Sequence, residues 1–287
     1  MIFTLTAMMV GFAGPCEDVA TEMWQVAPDT SEKPWVVPST PSQKTSAVVL
    51  IHGLFVHPIT PAKAKQPWLR WWQKPKTEIV TALAKDFDVF SFAYSQTLPV
   101  EEVARSPGLR DAIANLRKAG YKDVVLVGHS AGGVVARLFV EQFPDAGVTK
   151  VIAVASPFEG VKIASVKVGY PKVQVPFVES LAPRARVDAT KANKTPLGKD
   201  VQFVCVVCKL KHADTDGLVR THSQWPDDLQ QLGVPAVLVD SNHFTAMEHP
   251  MGVKKIAELA REKLTRWGPD EAEKARKELF GEPKPMK

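Results

Sequence analysis

Asp123-Val-Val-Leu-Val-Gly-His-Ser-Ala-Gly-Gly133 is the stretch of sequence that decides the fold. Its first part, residues 123–127, is a mostly apolar run typical of a strand that is covered on both faces. The run leads directly into a G-x-S-x-G motif centred on Ser130, and a helical pattern of apolar residues begins at Ala131. Such a sharp strand-to-helix turn needs glycines beside the serine, and it exposes the serine hydroxyl. The stretch therefore predicts a nucleophile elbow, with Ser130 as the nucleophile.

Short apolar runs elsewhere resemble the one before the elbow. Together they predict six buried strands, at residues 46–51, 88–92, 123–127, 150–155, 201–207 and 235–239. Amphipathic patterns between the runs predict helices at residues 77–85, 107–119, 131–143 and 251–267. The second of these helices has Ser106 as N-cap, Pro107 in its first turn and Gly120 after its end. Strands that alternate with helices predict an α/β fold, a mostly parallel sheet of about six strands with helices on both faces.

The chain is short enough for one domain. It has 287 residues, of which 45% are hydrophobic, and a chain of this size can form a single core. We expect one α/β domain over residues 45–267, in which residues 161–200 form a short cap or insert. Residues 1–44 are expected to be an apolar segment followed by an extended lead-in without periodicity, and residues 268–287 a charged tail with one short helix.

The charge pattern narrows the classes of partner. There are 36 Lys and Arg against 31 Asp and Glu, a net charge of +5, and the basic residues are spread along the whole chain. This distribution predicts no nucleic-acid binding and at most peripheral contact with anionic or lipid surfaces. No apolar run reaches the ~20 residues that a membrane span requires. Met1 to Pro15 is apolar enough for a secretion signal, but no basic residue precedes it, which favours a cytoplasmic over a secreted protein.

The cysteines predict neither disulfides nor a metal site. The chain has three, an odd number that does not suit a disulfide framework. Cys205 and Cys208 fall in one predicted strand, where side chains three residues apart point to opposite faces. A metal site that combines them with His212 is therefore not expected, and we predict two small buried hydrophobes and no cofactor.

Attack by a serine also requires backbone N–H donors that stabilise the oxyanion. One predicted donor is Ala131, which follows the nucleophile at a helix N-terminus, where the partial positive charge helps. The other is Leu54, in the turn His52-Gly53-Leu54-Phe55 after the first predicted strand. The sequence thus predicts an oxyanion hole at Leu54 and Ala131.

The serine needs a base and the base needs an orienting carboxylate, in the order Ser, Asp or Glu, His along this fold. Asp216 follows the strand that contains both cysteines and is our predicted carboxylate, with Asp214 as the alternative. The histidine should follow the last strand, which selects His243. His249 more naturally serves the start of the final helix, and His222 is too close to Asp216 in sequence.

Two predicted loops are longer than connections in α/β proteins need to be. They span residues 54–76 and 160–200. We expect apolar side chains from these loops to form the wall that binds the acyl chain. The alternative is that the loops only add packing over the sheet edge. Phe55 lies in the turn after the first strand, and His129 immediately precedes the nucleophile. The full set of candidate substrate-binding residues is Phe55, Trp68, Trp71, Trp72, His129, Phe158 and Phe177.

These motifs resemble a known group. Gly128-His-Ser-Ala-Gly132, Asp216-Gly-Leu-Val219 and Asn242-His243 are similar to segments of the bacterial lipases and esterases of the α/β-hydrolase superfamily, and the resemblance covers residues 46–267. The segment Ser156-Pro-Phe-Glu-Gly160 resembles a Thr-Pro-His-x-Gly stretch near the site in that group, with Ser and Phe in place of Thr and His.

The resemblance implies a serine hydrolase that cleaves small-molecule or lipid carboxylic esters through an acyl-enzyme. A thioesterase, an acyltransferase or an amidase could use the same three residues, because the triad does not choose the leaving group. A lipid-binding module without catalytic activity is the alternative from another class, and the complete set of Ser130, Asp216 and His243 argues against it.

Overall fold

A computed structural model describes residues 19–28, 33–38, 42–57, 59–166 and 169–281. These residues contain a seven-stranded sheet in the order β1-β3-β2-β4-β5-β6-β7. All neighbouring strands are parallel except β1, which runs antiparallel to β3. The strands are β1 (Thr21–Ala27), β2 (Ser46–Ile51), β3 (Asp88–Tyr94), β4 (Asp123–His129), β5 (Lys150–Val154), β6 (Gln202–Lys209) and β7 (Ala236–Asp240).

Helices cover both faces of this sheet. They are α1 (Glu78–Leu83), α2 (Val100–Arg105), α3 (Pro107–Lys118), α4 (Ala131–Gln142), α5 (Val175–Ser180), α6 (Pro183–Ala192), α7 (Thr221–Gln224), α8 (Asp227–Gln231), α9 (Pro250–Arg261) and α10 (Pro269–Phe280). Short 3-10 helices lie at Pro61–Lys65, Trp71–Gln73, Pro144–Ala146, Lys162–Ser165 and Lys172–Gln174. The predicted fold class is confirmed.

The inner strands, β2 to β6, are buried on both faces because each face packs against its own layer of helices. In β4, Val124 and Leu126 join the core beneath α3 and α4. Val125 and Val127 alternate with them and join the core beneath α1 and α9. This arrangement explains why the sequence shows continuous apolar runs rather than alternation.

Six of the seven strands coincide with predicted strands, and β1 is the exception. It falls partly in the segment expected to be an extended lead-in without regular structure, and that expectation was wrong. The strand lies at the sheet edge, where only Met23, Val26 and Ala27 are buried, and its register with β3 shifts between Gln25 and Ala27. A half-exposed, bulged edge strand has no clean two-residue period, so the sequence pattern does not reveal it.

The last predicted helix, residues 251–267, ends earlier than expected. It stops at Arg261, where Lys150 Nζ donates hydrogen bonds of 2.9 and 2.8 Å to the carbonyls of Leu259 and Ala260. A lysine at this position satisfies carbonyl groups that lose their helical partners at a C-terminus. The chain then turns and forms α10, the short helix predicted in the charged tail.

The insert at residues 161–200 contains α5 and α6, and α5 is anchored in the core through Phe177 and Val178. The apolar segment Met1 to Pro15 lies outside the described residues. Within the described ranges, none of the helices has the length and apolarity required to cross a membrane.

Candidate active site

Ser130 stands on a tight turn between β4 and α4. Its φ of 55° and ψ of −127° place it in a region that non-glycine residues rarely adopt, and this strain is typical of functional turns. A Cβ at Gly128 would lie 2.5 Å from the backbone of Gly132, and one at Gly132 would lie 2.2 Å from the carbonyl oxygen of Ile51. The two glycines of the motif are therefore required by close backbone contacts, as the sequence predicts for an elbow.

Ser130, His243 and Asp216 form one hydrogen-bonded chain. The Ser130 hydroxyl lies 3.0 Å from His243 Nε2, and His243 Nδ1 lies 2.7 Å from Asp216 Oδ2. Each residue comes from the carboxyl end of a different strand: β4, β7 and β6. With Nδ1 donating to the carboxylate, Nε2 is the acceptor for the serine proton. The structure thus brings together the three residues that the sequence predicts as nucleophile, base and carboxylate.

Backbone groups hold the Asp216 carboxylate in place. Its Oδ1 accepts hydrogen bonds from the N–H groups of Leu218 and Val219, at 2.9 and 2.7 Å. The His243 N–H donates to the Asp216 carbonyl at 2.9 Å, so the two residues are joined through both backbone and side chain. Asp216 and His243 are 1% and 3% exposed, which means that the pair is organised before any ligand arrives.

The alternative residues lie elsewhere. The Asp214 carboxylate accepts a hydrogen bond from the Thr221 hydroxyl at the start of α7. His222 contacts Glu159, with Nδ1 2.8 Å from Oε2. His249 is exposed and immediately precedes α9. None of these three residues contacts the Ser130 hydroxyl among the described groups.

His129 supports His243 from the side. Its Nε2 lies 2.9 Å from the His243 carbonyl oxygen, and the two rings lie 5.1 Å apart. Burial, reinforced by the neighbouring His243, lowers the pKa of His129 to about 3. His129 is therefore neutral at physiological pH, and the hydrogen on Nε2 is donated to the carbonyl. His129, which the sequence predicts to bind substrate, lines a cavity above Ser130 and also positions the loop of His243.

The predicted oxyanion donors lie beside the serine. Ile51 of β2 pairs with Gly128 of β4, which brings the turn after β2 next to the elbow. A Cβ at Gly53 would lie only 2.6 Å from Ser130 Cβ. Within the described part of the chain, the N–H groups of Leu54 and Ala131 donate no hydrogen bond, so both are available to a ligand.

Two buried glutamines hold the turn that carries Leu54, and sequence reasoning missed both. Gln96 accepts from the Phe55 N–H at 2.8 Å and donates to the Gly53 carbonyl at 2.9 Å. Gln174 accepts from the His57 N–H at 2.9 Å and donates to the Phe55 carbonyl at 2.8 Å. The only sequence signal for a role of either glutamine is the position of Gln96, just after β3 at the sheet edge where the loops meet.

A cavity of about 230 Å³ opens above Ser130. It is mostly apolar, and both long loops contribute residues to it. Its wall includes Val56, Trp72, Val161, Ile163, Tyr170 and Leu181. Of the predicted substrate-binding residues, Trp72 and His129 line this cavity.

The other predicted wall residues lie elsewhere, and these assignments need correction. Phe55, Trp68 and Trp71 face a neighbouring cavity of about 260 Å³ on the other side of the turn after β2. The Phe158 ring is buried beneath Arg137, whose guanidinium lies 5.3 Å from it. Phe177 is fully buried, with its ring 6.0 Å from that of Tyr94. Both phenylalanines are buried in the core, whereas their chain neighbours Pro157 and Val178 line the cavity.

The two strand cysteines are buried on opposite faces of β6, since Cys205 belongs to one core and Cys208 to the other. Burial raises the pKa of both thiols, which makes them poor nucleophiles and ligands. Across the described ranges, no three His, Cys, Asp or Glu side chains are arranged to hold a metal ion.

Comparisons with known proteins agree with this architecture. A model of the alpha/beta hydrolase family matches residues 48–263. The chain belongs to the alpha/beta hydrolase family, and the resemblance drawn from the sequence motifs is confirmed at this level. A search of curated proteins found no significant match.

Solved structures with the same fold include several named as lipases and esterases. A mature Bacillus licheniformis lipase has a TM-score of 0.58 and 14% identity, over 86% of this chain and 99% of that one. A metagenomic carboxyl esterase has a TM-score of 0.53 and 14% identity, over 83% and 82%. A Legionella pneumophila phospholipase has a TM-score of 0.55 and 15% identity, over 82% of this chain and 62% of that one. Identities this low establish the shared fold alone.

Proposed function

We propose that the protein is a carboxylic ester hydrolase with Ser130 as nucleophile, His243 as general base and acid, and Asp216 as the carboxylate that orients the histidine. The observation that carries the proposal is the continuous chain from Ser130 Oγ to His243 Nε2, at 3.0 Å, and from His243 Nδ1 to Asp216 Oδ2, at 2.7 Å. The names of the structural neighbours, lipase, carboxyl esterase and phospholipase, are consistent with ester chemistry on this fold.

In the proposed first step, His243 Nε2 takes the hydroxyl proton while Ser130 Oγ bonds to the ester carbonyl carbon. The negative charge moves to the carbonyl oxygen, where the N–H groups of Leu54 and Ala131 stabilise it. The imidazolium is stabilised by Asp216 and then gives its proton to the departing alcohol. The products of this step are an acyl-serine and a free alcohol.

In the second step, His243 removes a proton from water, and the resulting hydroxide attacks the acyl-serine carbonyl carbon. The same two N–H groups stabilise the second tetrahedral intermediate. Its collapse returns the proton from His243 to Ser130 and releases the carboxylic acid. The apolar cavity above Ser130 supplies the surface that binds an acyl chain, at roughly 25 cal/mol per Å² buried.

The experiment that tests the proposal is hydrolysis of 4-nitrophenyl hexanoate by wild type, Ser130→Ala and His243→Ala. Each substitution should lower kcat by more than ~10³-fold, because triad members act as a unit. His249→Ala is the matched control, since it removes an exposed histidine from the same loop region, and it should keep most of the activity. A folded Ser130→Ala protein with wild-type turnover would refute the proposal.

A further inference from the structure

Arg70 is a cation in the wall of the cavity above Ser130. It lines the same cavity as Ser130 and His243, and it also lines the neighbouring cavity that Phe55 faces. Among the described residues, no carboxylate lies within ion-pair distance of its guanidinium, and none of its side-chain N–H groups donates a hydrogen bond. The described lining of the cavity contains no acidic residue. Arg70 therefore supplies the one fixed charge on that lining.

The backbone of Arg70 is fixed to the sheet. Its N–H donates to Gln73 Oε1 at 2.9 Å, and Gln73 is fully buried. Gln73 Nε2 in turn donates to the carbonyls of Leu50 in β2 and Phe92 in β3, at 2.9 and 3.2 Å. Although Arg70 lies in a long loop, its backbone is thus tied through Gln73 to β2 and β3.

The guanidinium group is also oriented. Its carbon lies over the Phe55 ring, 4.3 Å from the ring centroid, a distance typical of a cation–π contact. This contact is not a hydrogen bond to the N–H donors, and the edges of a guanidinium group match the two oxygens of a carboxylate or phosphate. The Phe55 contact therefore pre-orients Arg70 without satisfying its donors.

The electrostatic surroundings leave Arg70 short of a counterion. Partial burial lowers the pKa of Arg70, and the more distant Glu248 carboxylate opposes this effect. An arginine stays protonated under such conditions. Burying the charged guanidinium therefore costs desolvation free energy, which an anionic ligand would offset. Burial lowers the pKa of His129, on the same lining, to about 3, so His129 is not a cation at neutral pH.

We propose that Arg70 binds an anionic oxyacid group of the substrate, so that the preferred substrates are esters that carry a carboxylate or a phosphate. This inference rests on the proposed ester hydrolase function and names the substrate class of the same site. The anion and the reacting carbonyl would occupy one cavity, with the guanidinium on one wall and Ser130 at the base.

Two matched substrate pairs test the proposal and distinguish the two sources of the anion. Mono-4-nitrophenyl adipate differs from 4-nitrophenyl hexanoate by a carboxylate at the end of the acyl chain. 1-Hexanoylglycerol 3-phosphate differs from 1-hexanoylglycerol by a phosphate on the alcohol. For at least one pair, the wild-type kcat/KM should favour the anionic member, and Arg70→Gln should lower the anionic-to-neutral ratio by about 10- to 100-fold, the range for a hydrogen bond to a charged group.

Two further variants make the result specific. Arg70→Lys keeps the positive charge but lacks the planar guanidinium group with its paired N–H donors. It should therefore retain part of the preference for the anionic substrate. Lys74→Gln removes an exposed cation that lines the neighbouring cavity instead, and it should keep the wild-type ratio. A ratio that is the same in wild type and Arg70→Gln for both pairs would overturn the inference while leaving ester hydrolysis intact.

Binding measurements separate this inference from the proposed function. In the Ser130→Ala background, calorimetry with both intact substrate pairs should show tighter binding of the anionic member of at least one pair, and adding Arg70→Gln should remove that difference. If wild type hydrolyses no ester, the proposed function fails, and the calorimetry still decides whether Arg70 binds anions. Equal affinities for both esters, and for both phosphate-pair members, would refute the role of Arg70.

Discussion

Replacing Gln96 by methionine would remove both hydrogen bonds between this side chain and the turn that carries Leu54. The Gly53 carbonyl would keep a partner, because His52 Nδ1 lies 2.8 Å from it. The Phe55 N–H would lose its acceptor, and an orphaned donor costs about 1–3 kcal/mol of folding free energy. We therefore expect a loss of unfolding free energy in this range, measured by urea denaturation.

The same substitution should slow catalysis, because Leu54 lies between the two groups that Gln96 holds. Complete loss of an oxyanion donor lowers kcat by about 10²–10³-fold. In Gln96→Met the Leu54 N–H remains but is less well fixed, so we expect a loss nearer ~10-fold in kcat, with a smaller change in KM. Steady-state kinetics with 4-nitrophenyl hexanoate measures both parameters.

Gln174→Met is the matched control for this effect. Gln174 is equally buried and also makes two hydrogen bonds, but it binds the turn beyond Leu54, at Phe55 and His57. The Gln174→Met variant should lose a similar amount of unfolding free energy as Gln96→Met, but its kcat should fall less. Equal losses of kcat in the two variants, or wild-type kcat in Gln96→Met, would refute the idea that Gln96 positions the Leu54 N–H.

Three other predictions follow from the packing and the charges. Gly133→Ala should lower the unfolding free energy by about 1–3 kcal/mol, since the new Cβ would lie 1.9 Å from Ser156 Oγ; urea denaturation that shows an unchanged or raised midpoint would contradict this. The hydrogen bond to Glu159 raises the pKa of the half-exposed His222, so its stabilisation is complete below its ordinary pKa of about 6.5 and is lost as pH rises through the folded value. The stability difference between wild type and His222→Asn, below about 1 kcal/mol because of solvent screening, should accordingly be larger at pH 5.5 than at pH 8.5, and equal differences would exclude the effect. The two buried thiols of β6 should resist a thiol reagent in the native protein, and peptide mapping that finds them modified would disprove their burial.

The elbow and its partners could be predicted because their signals are local or follow from strand order. The glycines beside Ser130 are demanded by contacts with the same turn and with the neighbouring strand. Asp216 and His243 each follow a recognisable apolar strand, and the order of strands in an α/β sheet brings their ends together. The placement of side chains at the carboxyl ends of strands is therefore predictable from sequence.

The cavity wall could not be predicted in the same way. Gln96 and Gln174 contact the turn after β2 from 41 and 119 residues away in sequence, and an isolated glutamine carries no motif. The sequence groups the tryptophans of the first long loop together. The loop passes over two cavities, however, so Trp72 lines the cavity above Ser130 and Trp71 lines the other. Loop paths depend on these distant contacts and leave little periodic signal.

The C-terminal helix α10 lies beyond the region that the family model matches, which ends at residue 263, yet it seals part of the core. Leu279 is buried, and the Phe280 ring lies 6.0 Å from that of Trp225, which is itself fully buried. The Leu279 carbonyl accepts a hydrogen bond of 2.8 Å from Lys209 Nζ at the end of β6. A chain shortened at the family boundary would expose an indole ring beside the strand that leads to Asp216. Preparation of the protein should therefore keep α10 and place any affinity tag after it, and intrinsic tryptophan fluorescence offers a direct readout of whether this helix is docked.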